Sequence, residues 1–185
     1  MKRLFLMGPI GCGKSTMIRT ALGNDIFRAG GFLTVRITEG QKLLGFELAS
    51  PRTPQQGHRF LSFENGVVRN DEVFSDFGVG YLQASASFTV ADEFGGMELL
   101  VDDFYKELLA FLQSGTPCIG VLKTRSAAER LAEAVPMGDT YFQRYRQLLE
   151  MLQADPHTQL LSISGWQDTA AAEQITHWVN QYVRR

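Results

Sequence analysis

The sequence predicts an α/β protein: a mostly parallel sheet with helices on both faces and an antiparallel β insertion. Three observations predict it. Short apolar runs stand at 3–7 (RLFLM) and 118–122 (CIGVL), the pattern of strands buried on both faces. Apolar residues recur at helical spacing after each run, as helices covering such a sheet require. The stretch from about 30 to 80 instead carries β-rich pairs separated by turn residues.

The elements follow in order. The strand at 3–7 stops at Gly8-Pro9, and residues 14–22 place Met17, Ile18, Ala21 and Leu22 on a helix that Gly23-Asn24 ends. Residues 32–38 and 42–49 flank Glu39-Gly40-Gln41 and predict a hairpin. A polar loop at 51–58 leads to a second β-like pair, 59–63 and 66–69, around Glu64-Asn65-Gly66. Residues 87–91 form a strand ending at Asp92-Glu93. Residues 99–113 put Leu100, Phe104, Leu108, Phe111 and Leu112 on one helical face. After the strand at 118–122 come helices at 126–134 and 140–153, the second with Asp139 as its N-cap. A strand at 158–163 and a helix at 169–183, capped by Asp168, close the chain. We expect one domain over 1–185, because the β-rich insertion at about 30–80 is too short to fold as a second.

Composition narrows the function. With 44% hydrophobic and 21% charged residues the chain can build one core, which excludes wholesale disorder. A formal charge of −2 argues against a dedicated nucleic-acid binder. It still allows a phosphate pocket, which needs only one or two cations. No apolar run reaches the ~18 residues of a membrane span. Met1-Lys2-Arg3 imitates a signal peptide, but the apolar run after it stops at Gly8, short of the roughly 7–15 residues a signal needs. Cys12 and Cys118 do not make a disulfide framework. The expectation is a cytoplasmic protein with two reduced thiols.

The strongest chemical signal is Gly8-Pro9-Ile10-Gly11-Cys12-Gly13-Lys14-Ser15-Thr16, which satisfies G-x-x-x-x-G-K-[ST]. Each part has a physical task. The glycines let backbone N–H groups turn inward around phosphate oxygens, and the following helix points its positive end at them. Lys14 reaches the β and γ phosphates, and the Ser15 hydroxyl can ligate Mg²⁺. Asp92, just past a strand parallel to the first, can serve the same ion. Glu93 can orient and deprotonate an attacking water.

Weaker signals surround these. Asp92-Glu93-Phe94-Gly95 also spells D-x-x-G, but no N-K-x-D follows to read guanine. Asp76-Phe77-Gly78 spells D-F-G without a kinase catalytic loop, and reads as a turn. Lys123, Thr124 and Arg125 end the second buried strand. Any of them can meet a γ phosphate there, or simply face solvent. His58, His157 and His177 are scattered and lack the spacing of a zinc site.

With these residues placed, the chain resembles the small nucleoside-triphosphatase family first described in thermophiles, also called cancer-related nucleoside-triphosphatase. The matching pieces are MGPIGCGKST at 7–16, GGFLTVRITEGQKLLGFELAS at 30–50 and VADEFGGMELL at 90–100. The resemblance implies a phosphate-loop, RecA-like fold. It also implies Mg²⁺-dependent hydrolysis of ATP, GTP and other nucleoside triphosphates, with loose base preference. It assigns residues 8–16 to the phosphates, Asp92 to the magnesium and Glu93 to the base. The chain departs from the family late. Where the family usually has an Asn-Arg pair after its last strand, Ser164-Gly165-Trp166-Gln167-Asp168 stands, and residues 125–156 look longer than usual. Two other functions stay open: a small nucleotide or metabolite kinase, and a nucleotide-dependent switch whose output is a protein contact.

Overall fold

The computed structural model describes residues 1–184. Its centre is one eight-stranded sheet in the order β5-β4-β3-β2-β6-β7-β1-β8. β1 (Arg3–Met7), β2 (Gly30–Glu39), β6 (Thr89–Phe94), β7 (Cys118–Leu122) and β8 (Thr158–Ser162) pair in parallel. β3 (Lys42–Ala49), β4 (His58–Ser62) and β5 (Val68–Arg69) continue the same sheet in antiparallel fashion.

Each face carries a core, which explains why β1 reads as unbroken apolar sequence. Leu4 and Leu6 point to one side, where α1 (Lys14–Leu22) and α6 (Thr169–Tyr182) supply Ile18, Leu22, Ile175 and Trp178. Phe5 points to the other and meets Phe94 edge-on, ring centroids 4.9 Å apart. That second core takes Phe104 and Leu108 from α3 (Asp102–Gln113) and Tyr141 and Leu148 from α5 (Gly138–Ala154). It also takes Leu82 of the short α2 (Val79–Gln83). Asp168 accepts a hydrogen bond from the Ala171 amide and caps α6, as its sequence position predicts. Among the described residues no helix is long and apolar enough to cross a membrane.

The structure corrects the sequence reading at four places. The β-rich segment is not wholly an insertion. Gly30–Leu33, the first part of β2, pairs in parallel with β6 and belongs to the central sheet. Gly31 makes this possible, with φ +86° and a Cα so close to Val90 that a Cβ would lie 2.1 Å from the Val90 carbonyl oxygen. Residues 74–83 are helical rather than β, and the D-F-G triplet lies inside their first, π-helical turn. α5 begins at Gly138 with Met137 at its N-cap, so Asp139 sits in the first turn instead. There its charge still faces the positive helix end. Finally, β6 runs through Asp92 and Glu93 to Phe94 rather than stopping before them.

β7 lies between β1 and β6. The loop after β1, the acids ending β6 and Lys123 after β7 therefore share one edge. This is the carboxyl edge of parallel strands, where open α/β sheets place their ligands.

Candidate active site

The phosphate loop is built locally. Gly11 and Gly13 take positive φ, +77° and +94°. Gly13 is the N-cap of α1, with no side-chain cap and no acid in the first turn. The first amides of α1 are therefore left for an anion. A Cβ on Gly13 would lie 2.8 Å from Cβ of Trp166, so the loop following β8 packs directly on the phosphate loop. The Trp166 side chain itself is 69% exposed. Lys14 Nζ donates to the carbonyl oxygens of Gly8, at 2.9 Å, and Pro9, at 2.7 Å, and lies 3.6 Å from Cys12 Sγ. Ile10, Gly11, Gly13, Lys14, Ser15 and Thr16 line a cavity of about 620 Å³. Gly8, Pro9 and Cys12 stand behind them and hold the lysine.

The two carboxylates predicted from sequence are both at the loop, in different surroundings. Asp92 is buried. Its Oδ1 accepts from Ser15 Oγ at 2.6 Å, and its Oδ2 from Arg19 Nη2 at 3.2 Å. Burial raises its pKa; the Ser15 hydrogen bond and the Arg19 charge offset part of that, and the Glu93 charge adds to it. Arg19 was absent from the sequence reading, although its spacing announces it. It lies one helical turn after Ser15, on the same face of α1.

Glu93 is reached by a bulge. The β6–β7 register shifts between Ala91 and Phe94, and Glu93 takes φ +65°. No other non-glycine among the described residues has a positive φ. Strain of this kind costs ~1–3 kcal/mol and persists where the surroundings over-determine it. The bulge turns the Glu93 side chain into the cavity, where its Oε1 accepts from Lys123 Nζ at 2.7 Å. Only one of the three candidates after β7 therefore enters the site. Thr124 is used as the N-cap of α4 (Arg125–Ala134), and Arg125 pairs with Glu129 in solvent.

Glu98 is a residue that sequence reasoning gave no role. It is buried, and its Oε1 accepts the amides of Gly95, at 2.6 Å, and Gly96, at 2.8 Å. Tyr141 donates to the Gly95 carbonyl at 2.8 Å, and Tyr145 to the Lys123 carbonyl at 2.8 Å. Burial pushes the Glu98 pKa up, against the pull of these amides and of Lys123. Glu98 thus fixes the turn directly after the bulge. The local signal is a carboxylate two and three residues after paired glycines.

The Ser15–Asp92 pair fits Mg²⁺. Both supply hard oxygens, and the buried aspartate is only partly compensated by its neighbours. Among the described residues no three His, Cys, Asp or Glu side chains stand together as a metal site. Magnesium needs no such cage, since it usually takes one or two protein oxygens plus substrate phosphates.

A sequence model of the NTPase family matches residues 3–142. The chain belongs to that family. Nucleoside triphosphate hydrolysis is therefore the general activity that the family gives this chain. Two solved structures share the fold. One is THEP1 from the hyperthermophile Aquifex aeolicus, at TM-score 0.63 and 17% identity, covering 94% of this chain and 96% of that one. The other is a human cancer-related nucleoside triphosphatase, at TM-score 0.66 and 18% identity, covering 98% of each chain. A search of curated proteins gave no match. The family match ends inside α5, so the loop carrying Trp166 lies outside it.

Proposed function

We propose that the chain catalyses Mg²⁺-dependent hydrolysis of nucleoside triphosphates, ATP and GTP among them, to the diphosphate and phosphate, with loose base preference. One observation carries this reading: the Ser15–Asp92 hydrogen bond and the Glu93–Lys123 ion pair open onto one edge of the sheet beside a glycine loop. Lys14 exchanges its loop carbonyls for β and γ phosphate oxygens, helped by the amides that start α1. Ser15 and Asp92 would hold a magnesium ion, which would supply charge neutralisation to the phosphates when bound. Glu93 keeps Oε1 on Lys123 and offers Oε2 to the attacking water. The water oxygen bonds to the γ phosphorus, the bond to the β–γ bridging oxygen breaks, and Glu93 takes the proton. Lys123 positions that carboxylate, and its charge lies beside the transferring group. The chain works in the cytoplasm, a reading that its two free thiols, Cys12 and Cys118, support.

Glu93→Gln tests the assignment, because it keeps the size and removes the base. Phosphate release should fall roughly 10²–10⁴-fold, the usual worth of a positioned base, while Mg-ATP affinity holds. Wild-type turnover in that variant, or a defect confined to affinity, would remove Glu93 from the chemistry. Phosphate release that waits for an added acceptor would replace the hydrolase by a kinase.

A further inference from the structure

The cavity reaches from the phosphate loop to residues of β3 and β4, four and five places along the sheet from β1. Its volume is about 620 Å³. The phosphate loop lines one end. The other end lies beyond Glu93 and Lys123, between the β2–β3 hairpin and α4.

That far end has its own chemistry. Its floor is aromatic: Phe46, Phe60 and Phe74 line it, with Phe60 and Phe74 ring centroids 4.9 Å apart. Two arginines line it from different elements, and both are exposed to solvent. Arg36 lies on β2 directly across from Phe46, on the strand face that also carries Phe32 and Thr34. Arg130 lies on α4, on the face shared with Ala127, Leu131 and Ala134. Neither arginine has a hydrogen bond or ion pair to another described residue, whereas Arg19 and Lys123, nearer the loop, are paired. Around the whole cavity stand five cationic side chains, Lys14, Arg19, Arg36, Lys123 and Arg130, against two carboxylates, Glu93 and Glu98. A pocket of ~300–1,000 Å³ with apolar walls and a few placed charges is the usual form of a small-molecule site.

We propose that this far end is a second-ligand site for a small, flat, apolar anion. The ring system would lie on Phe46, Phe60 and Phe74, and the anionic group between Arg36 and Arg130. The ligand would border the Glu93–Lys123 pair while a nucleotide occupies the loop.

The test reads binding alone, so its outcome is separate from that of the hydrolase reading. The probe is 8-anilinonaphthalene-1-sulfonate, titrated by calorimetry into protein saturated with Mg²⁺ and the β,γ-imido analogue of ATP. We expect one site per chain, and at least about tenfold weaker binding of the uncharged N-phenyl-1-naphthylamine. Arg36→Met and Arg130→Met should each weaken the sulfonate roughly tenfold, the worth of one charge-assisted hydrogen bond. They should leave the uncharged compound unmoved. Ala134→Trp, at an exposed helix position, should block both compounds by filling the groove. Unchanged circular dichroism would certify each variant's fold. One-for-one competition with the ATP analogue would overturn the proposal, because the nucleotide would then fill the cavity itself. Equal affinity for the two probes, absence of binding, or indifference to both arginine substitutions would overturn it too.

Discussion

The two halves of the site are assembled differently. The phosphate loop is made of consecutive residues, and its lysine is held by carbonyls five and six positions back. The Glu93–Lys123 pair joins residues thirty positions apart and exists only because β6 and β7 are neighbours in the sheet. Its glutamate is also strained, while the loop's positive φ angles fall on glycines that bear them freely. A local device is robust to change elsewhere in the chain. A device built across strands depends on the register of every residue between them.

Three substitutions sharpen this contrast. The largest effect should come from Lys14→Ala. It removes a charge aimed at the phosphates, and nucleotide affinity should fall roughly 10²–10³-fold, by the ~2–5 kcal/mol that truncating one partner of a buried charge pair costs. Thermal stability should hold, because the lysine contacts only its own loop. Comparable affinity by calorimetry would break the phosphate-loop assignment. Lys123→Met should act differently, leaving affinity nearly intact and lowering turnover by roughly tenfold, as loss of one charge-assisted contact does. Unchanged turnover in the methionine variant would make the lysine a merely structural partner.

The smallest effect is on stability, and its sign is unusual. Asp92 carries a raised pKa because it is buried. Its charged form is therefore disfavoured in the folded state. That cost is absent below the ordinary aspartate pKa and sets in as pH rises through the raised folded value. Asp92→Asn should thus raise the melting temperature at neutral pH, and the gain should vanish in acid, where wild type is protonated. The same variant should lose magnesium dependence. A lower melting temperature at neutral pH would show that Ser15 and Arg19 more than offset the burial.

The same contrast explains what could be read from the chain. β1, α1 and β7 follow from contiguous apolar runs and glycine punctuation, and the structure has them at the expected residues. Asp92 and Glu93 were legible as a pair. The bulge that separates their surroundings was not, because ordinary strand alternation predicts opposite faces and nothing local at Glu93 announces a positive φ. The role of Gly30–Leu33 in the parallel sheet was hidden in the same way. A strand that serves two partners, parallel β6 and antiparallel β3, carries one hydrophobic pattern for both. Arg36 and Arg130, from β2 and α4, are brought to one cavity only by the fold.

The packing of Gly13 against Trp166 has an optical consequence. The chain has two tryptophans. Trp178 is sealed in the core between α1, α6 and the sheet, with its indole N–H on the Lys2 carbonyl. Trp166 is largely in water and rides on the glycine that starts the phosphate-binding helix. Their emission therefore comes from two distinct environments, blue-shifted for the first and red-shifted for the second. Only the red component adjoins the phosphate loop. Added nucleotide should change that component and leave the blue one still, so the unlabelled chain reports its own loading, and Trp166→Phe should silence the report.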